Sequence, residues 1–219
     1  MYKMTTEKVK LKNNQEVKTN GKDNEAMPNQ AKQMRAQGKE LNNELVGAYK
    51  KISDMHNCWY GKRYNSLVKE FNDVAPKINE LLELVVTDIP SALETVANNY
   101  SQADKGSNVT SVSKEGPKKI TTISQSNDVG MKFLTSEVSN TQKEVSNSFK
   151  KSKEKMNTIE AEYGKIKWES EAADAFKAKF KKLKADIVTA FDNIDSQFTK
   201  LMEQTKTDIQ NAENANTVK

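Results

Sequence analysis

The chain has 219 residues, of which 35% are hydrophobic and 30% are charged, with only 8 Gly and 4 Pro. Abundant charge and few helix breakers are typical of long helices with one side in water. Apolar runs never exceed three residues, whereas a transmembrane helix needs about 20 and the apolar region of a secretory signal about 7–15. We therefore predict neither a transmembrane segment nor a cleavable signal peptide.

The formal net charge of +5 is compatible with binding to nucleic acid or to another anionic surface. Lys alternates with Glu and Asp along the predicted helices, however, and the chain contains two Arg. We interpret the densest basic run, 177–184, as a solvated helix face whose Lys stems cover apolar edges. A nucleic-acid-binding coiled coil therefore stays a minor alternative.

Residues 1–27 are rich in Lys, Asn, Thr and Glu, which predicts a disordered polar arm. Apolar residues then recur in steps of three and four, and this spacing predicts helices over about 28–57 and 62–104. Pro76 and Pro90 lie inside the second helix, where each removes a backbone hydrogen bond and predicts a bend.

Residues 105–128 contain Lys, Gly, Ser, Thr and one Pro and show no sustained apolar stripe, which is typical of a linker. The helical spacing resumes over about 129–167 and again over 171–215. The predicted domains are a polar arm (1–27), a first helical hairpin (28–104), a linker (105–128) and a second helical hairpin (129–215).

The period-two alternation of strands is absent, so the predicted fold class is all-α. The apolar seam is thin, and burying it must offset the entropy of ordering the backbone. A lone hairpin should therefore be only marginally stable, whereas two hairpins packed together share a common core. We therefore predict two tandem hairpins that pack as an elongated four-helix bundle.

Each predicted hairpin has a Trp at its turn. The first turn reads Cys58-Trp59-Tyr60-Gly61, and the second reads Lys167-Trp168-Glu169-Ser170. Apolar residues stand eight and twelve positions after each Trp, and the twelfth is Phe71 in the first half and Phe180 in the second. We predict that both Phe side chains are buried in the seam. Ser170 replaces the Gly of the first turn and can begin a helix as its N-cap.

Trp59-Tyr60-Gly61, with the apolar residues that follow it, resembles the Trp-X-Gly turn of the WXG (ESAT-like) family of type VII secretion proteins. That family consists of small helical hairpins, so the resemblance implies a tandem fusion of two of them. It covers roughly residues 28–104 and 129–215. It makes Trp59, Gly61, Trp168 and Ser170 the turn residues.

The same family carries an export signal of the form Tyr-x-x-x-Asp near the end of the second helix of the hairpin. Tyr100-Ser101-Gln102-Ala103-Asp104 matches this signal in spacing and location. Residues four apart lie on one helical face, so Tyr100 and Asp104 could form one recognition edge. A Tyr that closes an apolar stripe is also an ordinary last core contact. The second half contains no equivalent pair.

The chain contains one His and one Cys, His56 and Cys58, just before Trp59. At a spacing of two on a helix their side chains point to different faces, and no third orienting group is apparent. Two ligands do not complete a zinc site, and one Cys permits no disulfide within the chain. We therefore predict no catalytic residues, no metal site and no cofactor, with no small-molecule substrate.

The resemblance implies a non-enzymatic type VII secretion substrate or effector component that acts through helical protein–protein interaction. The expected partners are the secretion machinery with its motor ATPase and a helical protein, and the chain itself is expected to be a monomer or weak oligomer. It would be made in the cytoplasm of a Gram-positive bacterium, then secreted or held at the cell surface. The alternative is a cytosolic helical adaptor or chaperone for a larger secreted effector.

Overall fold

The computed structural model describes residues 18–19, 23–104 and 111–216. Most of the predicted polar arm, 1–17 and 20–22, lies outside these ranges, as does the first part of the predicted linker, 105–110. The described end of the arm contacts the first helix, because the backbone N–H of Met27 donates to the carbonyl of Lys18 at 3.0 Å.

The described chain is all-α apart from two very short strands, as predicted. The helices are α1 (Met27–Asp54), α2 (Lys62–Glu83), α3 (Ile89–Ala103), α4 (Thr135–Gly164) and α5 (Glu171–Ala215). A π-helical segment, Leu84–Asp88, joins α2 to α3 without a break. With α2, the π-helical segment and α3 counted as one helix, the described residues form four long helices. These helices pack pairwise, α1 with α4 and α2 with α5. None of them combines the length and apolar character that crossing a membrane requires.

The two strands are β1 (Trp59–Tyr60) and β2 (Lys132–Phe133), which pair antiparallel. The third helix was predicted to begin near residue 129, and this was wrong, because α4 begins at Thr135. The intervening residues are used in pairing with the Trp59 turn, where Leu134 N–H donates to Cys58 carbonyl at 2.9 Å. Helical spacing of apolar residues does not reveal so short a pairing.

The two prolines of the second predicted helix are accommodated differently. Pro76 lies inside α2, which continues through it. Pro90 lies in the first turn of α3, directly after the π-helical segment. Gly38 of α1 faces this segment so closely that an added Cβ would lie 2.8 Å from Val86 Cγ2. The π-helical segment therefore packs against a position of α1 where only Gly fits without a shift.

By its internal contacts the chain divides into two compact units. Unit 1 comprises Met1–Asn42, Asn79–Lys118 and Glu154–Ala185, and unit 2 comprises Asn43–Ile78, Lys119–Lys153 and Asp186–Lys219. Each unit takes segments from both predicted hairpins, so the units and the predicted domains divide the chain differently.

Unit 2 is built around the junction of α1 and α2. Tyr49 donates its hydroxyl hydrogen to the carbonyl of Phe71 at 2.6 Å, and Tyr64 donates to that of Ile52 at 3.2 Å. Residues later in α1 thus meet residues earlier in α2, and the two helices run antiparallel. In unit 2, ion pairs also join α1 to α4, through Lys51 and Glu144, and α2 to α5, through Lys77 and Asp186.

Unit 1 is built around the junction of α4 and α5. Tyr163 donates its hydroxyl hydrogen to the carbonyl of Ala173 at 2.8 Å, and Lys184 pairs with Glu160, so these helices are also antiparallel. In unit 1, ion pairs also join α4 to α1, through Lys155 and Glu40, and α5 to α2, through Lys179 and Glu80.

Candidate functional site at the Trp59 turn

Trp59 lies at the centre of an aromatic cluster in unit 2, with only 1% of its surface exposed. Its ring stacks on Phe198 of α5 at a centroid distance of 5.9 Å and meets the edge of Phe133 at 5.5 Å. Tyr64, at 6.3 Å, completes the cluster from α2. Because aromatic pairs of this geometry add stability beyond the area they bury, the cluster fixes the turn against β2 and α5.

Gly61 follows Trp59 in a conformation that favours glycine, with φ at +115°. A Cβ added there would lie 3.3 Å from the carbonyl oxygen of Gly130, which is tighter than ordinary contact. The Gly61 carbonyl accepts the N–H of Asn65 at 3.1 Å and so begins α2. Both the backbone conformation of Gly61 and the close approach of the Gly130 backbone therefore require Gly at this position.

An open cleft of about 490 Å³ lies beside the turn. It is lined by the turn itself, by Gly130 and Met131 before β2, and by Thr205 and Asp208 of α5. Arg63 closes one side through an ion pair with Asp208 at 2.6 Å. The cleft thus presents the Arg63–Asp208 pair and Lys62 within a mainly apolar wall.

Exposed apolar side chains are concentrated in the segment that pairs with the turn. Val129 is 98% exposed, Met131 51% and Leu134 41%. Among the described residues only one other large apolar side chain, Val112, is comparably exposed. We call Val129, Met131 and Leu134 the apolar patch. Grouped apolar exposure beside a structured turn is typical of a protein contact surface.

His56 and Cys58 each contact a different group. The imidazole Nε2 of His56 lies 3.1 Å from a carboxylate oxygen of Asp128, whereas the thiol of Cys58 donates to the carbonyl of Met55 at 3.2 Å. Burial raises the pKa of the Cys58 thiol, and Glu137 adds to the effect, so the reactive thiolate is disfavoured. No group of three metal-binding side chains lies together in the described ranges.

The second predicted turn motif lies in unit 1. Ser170 accepts the backbone N–H of Ala173 at 3.1 Å through its hydroxyl oxygen, which confirms the predicted N-cap of α5. Trp168 is largely buried, with its ring 6.0 Å from that of Phe176. No described residue accepts a hydrogen bond from its buried Nε1 atom. This turn lacks the strand pairing that holds Trp59.

Tyr100 and Asp104 form the predicted export signal. Tyr100 lies in the last turn of α3 in unit 1, and Asp104 is the C-cap residue that follows this helix. The N–H of Asp104 donates to the carbonyl of Tyr100 at 3.1 Å, and Asp104 is exposed. The Tyr100 hydroxyl is instead buried, with no hydrogen-bond partner among the described residues, and burial raises its pKa. The two residues share a turn of helix, but only the carboxylate is freely accessible from outside.

The two predicted seam residues are both buried. Phe71 lies in unit 2 between Tyr49, at a centroid distance of 5.3 Å, and Phe149, at 5.7 Å. Phe149 in turn stacks on Phe191 at 4.2 Å. Phe180 lies in unit 1 and is 2% exposed.

Two features of the Trp59 site were missed from the sequence. Phe133 was assigned to a helical stripe, although it pairs with Trp59 across the strands. The apolar patch was assigned to the same helix. The available signal was the residue type of Gly130, because Gly disfavours the interior of a helix. In the structure its φ is +98°, outside the helical region.

Comparison with models of known protein families, with curated proteins and with solved structures finds no match for this chain. The described fold defines an all-α protein with an aromatic-packed turn, and the resemblance to the WXG family stays a prediction.

Proposed function

We propose that this chain is a non-enzymatic type VII secretion substrate or effector component that acts through protein–protein contact. The observation that carries the proposal is the turn Trp59-Tyr60-Gly61 between the antiparallel helices α1 and α2. The Trp is fully packed and the Gly is required by its positive φ. Both properties match what a Trp-X-Gly hairpin turn needs.

The residues that follow the turn support the same proposal. Leu67 and Phe71, eight and twelve positions after Trp59, are both completely buried. The apolar pattern by which the sequence resembles the WXG family is therefore part of the core of unit 2.

The apolar patch supports contact with another protein. Val129 and Met131 lie beside the turn and expose apolar surface that water solvates poorly. A helical or machinery partner that covers the patch would remove this surface from water. Its position ties the contact to the Trp59 turn.

The basic run 177–184 gives less support to a nucleic-acid partner. Lys179 pairs with Glu80 at 2.9 Å, and Lys184 pairs with Glu160. Lysines that already pair with carboxylates neutralise fewer phosphates, and phosphate neutralisation supplies most of non-specific nucleic-acid affinity.

Fractionation of the producing bacterium with and without its type VII motor ATPase tests the proposal. We expect the chain in the medium or at the cell surface only when the ATPase is present. A cytosolic protein without a secretion route serves as the lysis control. Equal release by both strains would contradict the proposal.

The alternative of a cytosolic adaptor for a larger effector predicts a different outcome in the same experiment. The chain would stay in the cell pellet in both strains and would co-purify with the effector. Replacing Met131 with Asp in the apolar patch should then abolish co-purification, whereas replacing the exposed residue Asn99 should not.

A further inference from the structure

Residues 119–126, which we call the strap, lie extended along α2 in unit 2. Asn72 donates its side-chain amide to the carbonyl of Ile123 at 2.9 Å and accepts the Ile123 N–H at 2.8 Å. Asn65 makes the same two bonds with Ser126, at 2.9 and 2.8 Å. Each Asn side chain thus takes the place of a backbone peptide group opposite the strap.

The spacing of these contacts fits a repeating recognition scheme. Asn65 and Asn72 are seven residues apart, so they stand about 10.5 Å apart along one face of α2. Ile123 and Ser126 are three residues apart, which is about 9–10 Å in extended chain. The later residue of α2, Asn72, contacts the earlier strap residue, Ile123, and Asn65 contacts Ser126. The strap is therefore antiparallel to α2.

The strap turns every third side chain inward. Ile120 and Ile123 are buried and Ser126 is partly buried, whereas the residues between them are exposed. This repeat matches the three residues per turn of polyproline II conformation. A cleft of about 300 Å³ remains between the strap and residues of α1 that include Val46 and Tyr49. The strap therefore leaves space between itself and α1 unfilled.

The same contact recurs in unit 1. Asn42 of α1 donates to the carbonyl of Lys118 and accepts its N–H, both at 2.7 Å. Asn side chains are thus used repeatedly in this chain to hold extended backbone through both its N–H and its carbonyl.

We propose that the face of α2 carrying Asn65 and Asn72 is a binding groove for an extended peptide of another protein. The strap covers this groove and shows what fits it. The ligand is a segment with two aliphatic residues three positions apart and a small hydroxyl residue three positions later. The two Asn read its backbone, and the surface beneath Ile120 and Ile123 selects the aliphatic side chains. Binding at this groove requires nothing of the export route proposed above.

Competition with the strap sets the conditions for binding. A tethered segment has an effective concentration in roughly the millimolar range. A free peptide therefore binds the unmodified chain more weakly than a chain whose strap has lost its aliphatic contacts. We expect a difference of at least about tenfold.

The test uses the full chain with Ile120→Ser and Ile123→Ser and a fluorescein-labelled synthetic peptide copying residues 118–128. Saturable binding by fluorescence anisotropy is expected, weakened at least about tenfold in the unmodified chain. Should the double change unfold the chain, Ile123→Ala alone serves. Circular dichroism checks the fold of each variant.

A second peptide, N-methylated at the positions of Ile123 and Ser126, lacks the two N–H groups that the Asn side chains accept. It should bind at least about tenfold more weakly, with the protein itself unchanged. Asn65→Ala with Asn72→Ala should have the same effect, and Ser66→Ala on the exposed side of α2 is the matched control. No binding of the unmethylated peptide, or equal binding of both peptides, would overturn the proposal.

Size-exclusion chromatography tests whether the groove instead binds the strap of a second copy of this chain. If the unmodified chain forms dimers that the peptide dissolves, the groove takes the strap of a second copy, and the assignment to another protein is overturned. A monomer at every concentration, together with peptide binding, supports it.

Discussion

Arg35 on α1 donates two hydrogen bonds to the Glu94 carboxylate on α3, at 2.7 and 3.1 Å. Both residues are buried. The third donor of the guanidinium, Nε, reaches the carbonyl of Val86 at 3.2 Å. Pro90 stands four residues after Val86 and has no N–H for the helical bond to that carbonyl. Arg35 therefore supplies the donor that Pro90 removes.

Replacing Glu94 with Ala should destabilise the protein by about 3–5 kcal/mol, because it leaves the buried Arg35 charge without its partner. Ser113 N–H, which donates to Glu94 at 2.9 Å, also loses its acceptor. Urea unfolding measures the change. Glu115→Ala is the matched control, since its ion pair with Lys39 is exposed and its loss should leave the midpoint almost unchanged. Equal effects would mean that burial of the Arg35 pair is unimportant.

Gly61→Ala should destabilise the protein by about 1–3 kcal/mol, because a side chain is strained at positive φ and would approach Gly130 oxygen to 3.3 Å. Gly47→Ala is the control within helix α1, where an added Cβ meets nothing within 4 Å. That change should stabilise the protein by up to about 1 kcal/mol. Thermal melts of the two variants should therefore move in opposite directions, and a shared direction would contradict the turn geometry.

Phe71→Ala should cost about 3–5 kcal/mol, as expected for loss of a fully buried aromatic ring. Phe180→Ala should cost a similar amount or slightly less, because Phe180 is buried but no aromatic ring pairs with it in the described part of the chain. Phe176, which is only partly buried, is the matched control and should cost less than either. Chemical denaturation ranks the three variants. An unchanged midpoint for Phe71→Ala would mean that its side chain does not anchor the core.

Tyr100→Ala with Asp104→Ala should remove the protein from the medium if these residues are the export signal. The far-ultraviolet circular dichroism should stay helical, because Tyr100 lies in the last turn of α3 and Asp104 is its C-cap. Asn99→Ala, an exposed change on the same turn, is the control and should be secreted normally. Normal secretion of the double variant would exclude this pair as the signal.

Cys58 should react slowly with a thiol reagent such as DTNB at pH 8 in the folded protein and quickly in urea. Burial raises the pKa of its thiol, so less thiolate is present at a given pH when the protein is folded. The control is Val129→Cys in a Cys58→Ala background, because Val129 is 98% exposed. Equal native rates for the two thiols would contradict the buried position of Cys58.

Local features of the protein could be predicted from the sequence. The apolar spacing located the start of α1 within one residue and both ends of α5, although it placed the end of α1 three residues too late. It succeeded because each residue of a helix bonds to neighbours four positions away and the buried side repeats with the helix. Ser170 was recognisable as an N-cap for the same reason, since its acceptor role depends on the next three residues. The turn at Trp59 and Gly61 was also visible, because a break between two apolar stripes is itself a local pattern.

The contacts between distant residues were decided only by the tertiary structure. The pairing of Trp59 with Phe133, the Arg35–Glu94 pair and the hold of Asn72 on Ile123 join positions 74, 59 and 51 residues apart, respectively. No local pattern encodes such partners, since polar side chains and short extended segments look alike in sequence whether they face water or protein. The predicted linker was correctly free of helix over its described part, but its lack of an apolar stripe gave no sign that Ile120 and Ile123 would be buried. A buried amide or carboxylate must find its partner wherever packing brings one, and packing depends on the whole fold.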